Sequence, residues 1–327
     1  MPRVVVFDEF GGPDVLRIVD EPVIEPQAGE VRVRIEAFAI NPLDAMMRSG
    51  APLVAGSLPH ARLGVEATGV IDAIGPGVVD LGFGDPVIVT AIPDAGARGA
   101  HAEYTTIRVS AVIARPSELD VVAAAAIWVG FSTAYGALVE LARLHAGDTV
   151  LITAASGSVG RTAIQVARQL GAVPITITRD PAKSDELYAA GAESVIVDGE
   201  ENLVDAVHRV TNDAGVDVVL DLVRGPGQSA LLDATRTGGT LVEAGFLDER
   251  PTPQPADERV AVVSYRGFDY LAQPEVLKRM EAFLRVGVQL GILRPAIDQT
   301  FDLDHVGDAH RRFDEGLHAG KKIVITP

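Results

Sequence analysis

The chain has 327 residues, 47% of them hydrophobic, and a formal net charge of -17; this suits about two globular domains with a sizeable core and disfavours a nucleic-acid or anionic-membrane partner, which so acidic a surface would repel. With no cysteine there is no disulfide, catalytic thiol or thiolate metal site, which fits a reducing, cytoplasmic setting. "MPRVVVFDEF" offers too short an apolar run for a signal peptide, and the longest apolar stretch, "VVAAAAIWVGF" (residues 121–131), falls short of the roughly 18 residues that cross a bilayer; a soluble protein is expected.

From residue 1 to about 115, runs such as "EVRVRIEAFAI" and "GDPVIVTAI" are broken by Gly and Pro. They predict an all-β module with many turns. From about residue 121 helical stretches alternate with the apolar runs "TVLITAA", "VPITIT", "SVIVD", "VDVVLDLV" and "TLVEAGF". Strands spaced by helices imply βαβ crossovers and a parallel sheet, so the fold class is α/β. After "VVSYRGFDY" the chain reads as a helix near "PEVLKRMEAFLRVGVQLG" and ends in the short apolar run "KKIVITP"; "PTPQPADER" (residues 251–259) reads as an exposed loop.

The segment "LITAASGSVGRTAIQ" (residues 151–165) passes from a strand pattern through small residues into a helical one. A dinucleotide site at such a turn needs one small residue for the tight turn, one for approach of the pyrophosphate and one for close helix–strand packing. Ala155, Gly157 and Gly160 occupy those places. Ser156, Ser158 and Val159 complete the turn, and the helix that follows would aim free N–H groups at phosphate oxygens. Alone, the motif describes a bland tight turn equally well; the strand before it, the helix after it and the second strand at the proper distance favour a cofactor.

The end of that second strand selects the cofactor. It reads "ITITRDPAKSDEL", with Thr178, Arg179 and Lys183 near the strand end and next helix. A hydroxyl, a guanidinium and an ammonium suit the 2′-phosphate of NADP(H). Asp180 is the rival signal for a ribose-binding acid, but it is better placed to cap a helix beginning at Pro181. A solvated charged loop is the remaining alternative.

With "AASGSVG", "INPLDAMMRSG" (residues 40–50), "LGVEATGVIDAIGPGV" (63–78), "GDPVIV" (84–89), "GAHAEYTTI" (99–107), "GFSTAYGAL" and "GKKIVITP" (320–327) in one order, the chain resembles the medium-chain dehydrogenase/reductase superfamily over essentially its whole length. Its zinc-free quinone oxidoreductase and enoyl-reductase branch is the nearest resemblance. This implies a GroES-like substrate domain from residues 1–130, completed by 270–327, and a Rossmann NADP-binding domain at 131–269. It also implies a homodimer that extends its sheets edge to edge, with "VAVVSYRG" as the candidate interface strand.

In the zinc-dependent alcohol dehydrogenase relatives the catalytic ligands fall where this chain has Asn41, Val65 and Val129, and the proton-relay hydroxyl falls at Leu43. Valines bind no metal. The cysteine-rich structural lobe is replaced by "PDAGARGAHAEY", and His305 and His310 are not spaced for one helical face, so a metal-free site is expected. Without a metal, a plain ketone is a demanding substrate. The resemblance therefore implies NADPH-dependent hydride transfer to a small hydrophobic quinone or α,β-unsaturated carbonyl.

By family position, the catalytic candidates are Asn41, Thr133 and Asp44. Asn41 would otherwise be the turn residue before Pro42, Thr133 a helix cap as well, and Asp44 a structural acceptor. Ala244, Phe246, Phe268 and Tyr270 map onto the nicotinamide wall, or belong to a core. Lys321 matches a cation that reaches the cofactor phosphates, or is a solvated lysine. A tyrosine that many quinone reductases carry after "RSG" is missing from "APLVAG", and Trp128 lines the pocket or is buried structurally. Alcohol–carbonyl interconversion, and a non-catalytic NADPH-binding structural or sensing protein, are the rival readings.

Overall fold

A computed structural model of the chain describes all residues except 52–56, 91, 93, 249 and 254–257. The contacts divide it into two compact units, Met1–Val129 with Arg294–Pro327, and Gly130–Leu293. The second boundary lies later than the 269/270 division expected from sequence, because helix Pro274–Gln289 buries Val276, Met280, Leu284 and Val288 and clusters with the second unit.

The first unit is built on strand Glu30–Ala39, whose alternating Val31, Val33 and Ile35 enter a core with Phe38, Ile71, Val87 and Ile323. This strand pairs antiparallel with Ala67–Ile74, Tyr104–Arg108 and the final strand Lys322–Thr326. The last pairing sets Val324 against Ala39, and the Ile40 N–H donates to the Ile323 carbonyl at 3.1 Å. Continuing that register brings Lys322 opposite Asn41. The unit is not all-β as expected: helix Pro42–Ser49 follows Asn41, with proline at its first position, where its fixed φ and missing N–H are harmless. Gly50 ends it at φ 80°, in the left-handed region.

The second unit holds six parallel strands in the spatial order Ser194–Val197, Val173–Thr178, Thr149–Ile152, Val216–Asp221, Thr235–Glu243, Ala261–Ser264. This is the doubly wound arrangement whose direction of winding reverses between its first and fourth strands, here Thr149–Ile152 and Val216–Asp221, and such a reversal opens a ligand crevice at the carboxyl ends of those strands. Leu151, Ile175, Ile177, Val219 and Leu241 fill its core. Ala261–Ser264 forms one edge of the sheet.

Candidate functional site

Strand Thr149–Ile152 ends in the turn leading to helix Ser158–Leu170. Ala154 adopts φ 45°, and its carbonyl accepts the Gly157 N–H at 3.0 Å, which closes the turn. A Cβ on Gly157 would meet only the Ala154 carbonyl, at 3.3 Å, so almost no protein occupies the space a side chain would take. Gly160 is glycine for another reason. Its Cβ would lie 2.6 Å from the Ala155 Cα and 2.7 Å from the Ala154 carbonyl, so helix and turn backbones touch there. Ala155 is buried, while Ser156, Ser158 and Val159 are half-buried. The first N–H groups of the helix, from Ser158 to Gly160, have no intrahelical acceptor, which makes this end a natural anion site.

Sequence reasoning missed the group that braces this turn. The buried Arg161 donates from Nε to the Ser156 carbonyl at 2.9 Å and from Nη2 to Glu186. Glu186 stands on helix Ser184–Ala189, so one guanidinium ties the turn to the helix beyond the second strand.

At the end of that second strand Thr178 is buried, and its Oγ1 accepts the Asp180 N–H at 3.2 Å. Asp180 accepts the Ala182 N–H at 3.1 Å and so caps the turn Pro181–Lys183. Arg179 is exposed and Lys183 half-exposed, and neither has an ion-pair partner among the described residues. Two cations without ion-pair partners among the described residues thus follow the end of strand Val173–Thr178.

Thr133 lies inside helix Trp128–Tyr135, so its expected role as a cap does not hold. It is half-buried. The helix continues into a π-turn at Gly136–Leu141, an irregularity often found at functional sites. The Tyr265 hydroxyl donates to the Ser132 carbonyl at 3.1 Å, and a Cβ on Gly136 would lie 2.2 Å from that hydroxyl. Tyr270 stacks on Tyr265 with centroids 5.3 Å apart. Phe246 and Phe268 are 57% and 55% exposed, which rules out the core alternative for both. Ala244 is half-buried and donates its N–H to the Asp221 carbonyl at 2.9 Å. Trp128 is fully buried, a core residue. Also missed was Asp221, buried at the end of its strand. One carboxylate oxygen accepts from Val223 N–H, Arg224 N–H and Thr153 Oγ1, and the other from Gln228 Nε2, fixing the loop after the strand.

In the first unit Asn41 is 1% exposed and its carboxamide is wholly engaged. Its Nδ2 donates to the Ala39 carbonyl at 3.2 Å and to Glu66 Oε1 at 3.1 Å, while its Oδ1 accepts from Lys322 Nζ at 2.5 Å. The expectation that Asn41 donates to a substrate is therefore corrected, since both amide hydrogens are already spoken for. Lys322 also donates to Glu66 Oε1, and Glu66 Oε2 accepts the Val129 N–H at 2.7 Å. Lys321, the lysine singled out from sequence, is half-exposed, with its N–H on the His318 carbonyl at 2.9 Å. The buried cation is its neighbour.

Asp44 is fully buried and accepts the N–H groups of Asn41 at 2.8 Å and Gly64 at 2.9 Å. Burial pushes its pKa up to about 6 despite those donors and the positive charge of Lys322. Its oxygens serve the backbone, which is the structural alternative of the sequence reading. His101, buried against Phe38 with centroids 4.3 Å apart, lies 3.8 Å from Asp44 Oδ2, and burial pushes its pKa down to about 3. His310, buried against Arg48 at 2.8 Å, is lowered as well, again mainly by burial. His305 is exposed, and among the described residues no three His, Cys, Asp or Glu side chains gather as a metal site. Of the "APLVAG" segment, residues 52–56 lie outside the described residues, as do 93 of "PDAGARGAHAEY" and 254–257 of the expected loop.

Comparison with known proteins gives a consistent assignment. Residues 27–153 match the alcohol dehydrogenase GroES-like domain, and residues 190–324 match the zinc-binding dehydrogenase family. The chain is 29% identical to a quinone oxidoreductase of Lama guanicoe over 326 residues, covering 99% of this chain and 97% of that one. It is 36% identical to the spectinabilin polyketide synthase system protein NorB of Streptomyces orinoci over 325 residues, 97% of this chain and 14% of that much longer one. Among solved structures it superposes on an Escherichia coli quinone oxidoreductase complexed with NADPH with a TM-score of 0.86 at 26% identity, covering 99% of this chain and 100% of that one.

Proposed function

This chain belongs to the medium-chain dehydrogenase/reductase superfamily, and from that premise we propose that it reduces a quinone or an α,β-unsaturated carbonyl with NADPH and without zinc. It is an oxidoreductase of that superfamily, and NADP(H) is its cofactor. When bound, NADPH supplies the hydride, which an electron-poor alkene or quinone accepts at carbon while negative charge spreads onto a carbonyl oxygen.

The observation that carries the reading is the open space over Gly157 next to the N-terminus of helix Ser158–Leu170. The N–H groups of Ser158, Val159 and Gly160 hold the pyrophosphate, with hydroxyls from Ser156 and Ser158 beside them. Arg179 and Lys183, both without ion-pair partners among the described residues, hold the 2′-phosphate with Thr178. Thr133 supplies a hydroxyl donor, and Ala244, Phe246, Phe268 and Tyr270 form the nicotinamide wall. The exposure of the two phenylalanines leaves both rings available for that role. Asp44 acts by holding the backbone around Asn41 rather than by proton transfer. The edge strand Ala261–Ser264 joins two copies into a dimer.

The test is NADPH consumption against a panel of quinones, enals and enones. Turnover of at least one class, with no oxidation of simple alcohols by NADP+, is expected. Binding of NADPH with no turnover would favour a non-catalytic cofactor-binding protein, and alcohol oxidation would favour the dehydrogenase reading.

A further inference from the structure

One family matched by this chain is described as zinc-binding, yet the residues at the metal position do not fit a metal. Of the three ligand positions, two are Val65 and Val129, which offer no donor side chain. The third, Asn41, and the adjacent Glu66 both already hold an ammonium. Lys322 Nζ lies 2.5 Å from Asn41 Oδ1 and is hydrogen-bonded to Glu66 Oε1, with the lysine side chain 5% and the glutamate 1% exposed. Asn41 Nδ2 donates to the same Oε1, and the Val129 N–H donates to Oε2.

We propose that the Lys322 ammonium is the resident cation of this centre, a covalently attached positive charge that stands where zinc-dependent relatives place a metal. A buried carboxylate needs a counter-charge. One ammonium against one carboxylate leaves the cage neutral. A divalent ion added beside Lys322 would face a like charge at hydrogen-bond range, and in a poorly hydrated site that repulsion is severe. The lysine therefore both satisfies Glu66 and excludes the metal. Its place follows from the antiparallel register of the last strand, which brings Lys322 opposite Asn41. The inference does not depend on which electrophile is reduced.

The test uses thermal unfolding of the full chain. Zinc, cobalt or a chelator should leave the wild-type Tm unchanged. Lys322→Ala should lose on the order of 10 °C by stranding Glu66, and methylammonium or ethylammonium should restore part of that loss where equal sodium chloride does not. Because this variant risks failing to fold, the neutral pair Lys322→Met with Glu66→Gln is made beside it. It should fold and recover most of the wild-type Tm. The proposal is overturned if the neutral pair is as unstable as Lys322→Ala, if Lys322→Ala folds with the wild-type Tm or gains nothing from alkylammonium, or if the wild type takes up one zinc per chain with a Tm shift that Glu66→Gln abolishes.

Discussion

The Arg161 Nε donates to the Ser156 carbonyl at 2.9 Å while its Nη2 holds Glu186. The guanidinium thus fixes the proposed phosphate turn against the helix that follows Arg179 and Lys183. Arg161→Ala should weaken NADPH binding about 10-fold, the equivalent of one charged hydrogen bond of roughly 1.5 kcal/mol. Fluorescence titration measures it, and an unchanged Kd would show that the turn needs no brace.

Gly157 and Gly160 separate binding from folding. A methyl at Gly160 meets the Ala155 backbone at 2.6 Å, so Gly160→Ala should cost about 1–3 kcal/mol in stability. At Gly157 the methyl meets only one protein atom, at 3.3 Å. Gly157→Ala should keep a near-native Tm and lose NADPH affinity by roughly 10-fold or more, since the lost space is the ligand's. Unfolding scans and titrations on the two variants are to be compared, and the reverse pattern would contradict the assignment.

Arg179→Ala and Lys183→Ala should each weaken NADPH by about 10- to 100-fold, equivalent to roughly 1.5–3 kcal/mol, and leave NADH binding nearly unchanged. The selectivity should shrink as salt is raised, because both side chains are solvent-accessible. Equal losses for both cofactors would place these residues elsewhere than at the 2′-phosphate.

The buried histidines set the response to acid. His101 has its pKa pushed down to about 3 in the fold, below its unfolded value of about 6.5. Its contribution to stability is thus complete above about pH 6.5 and is lost as pH falls from there toward 3. Asp44 works in the opposite sense. Its pKa is raised to about 6, so the cost of burying its charge is felt above pH 6 and is relieved as pH falls toward its unfolded value of about 4. His101→Leu should remove up to about 1.4 kcal/mol per pH unit of acid destabilisation and shift the acid-unfolding midpoint downward. Urea midpoints measured from pH 7 to pH 4 provide the check, and a midpoint that stays or rises would contradict it.

What could be read from the sequence was what is local in it. The period-2 run "EVRVRIEAFA", the alternation of strands and helices, and the small residues at 155, 157 and 160 each lie within a few residues of one another. The Asn41–Glu66–Lys322 cage was illegible because its members are 25, 256 and 281 residues apart and only the strand register unites them. Without that register the sequence points to Lys321 and gives no signal for Lys322. Thr133 reads as a helix cap from its residue type, but the helix starts earlier, at Trp128. The helix Pro42–Ser49 did carry its signals, Asn41 followed by Pro42, and was hidden by the β-rich runs around it.

The central claim is that this chain binds NADPH at the turn around Gly157 and passes its hydride to an activated alkene or quinone. Single-turnover mixing of the enzyme with NADPH deuterated at C4, against enone and quinone acceptors, tests it most directly. The account predicts stoichiometric oxidation of NADPH and a slowed transfer step with either acceptor, deuterium at the β-carbon of the reduced enone, and all of these diminished in Gly157→Ala. NADPH oxidation by an enone that leaves no label in its product, or oxidation that proceeds undiminished in Gly157→Ala, would contradict it.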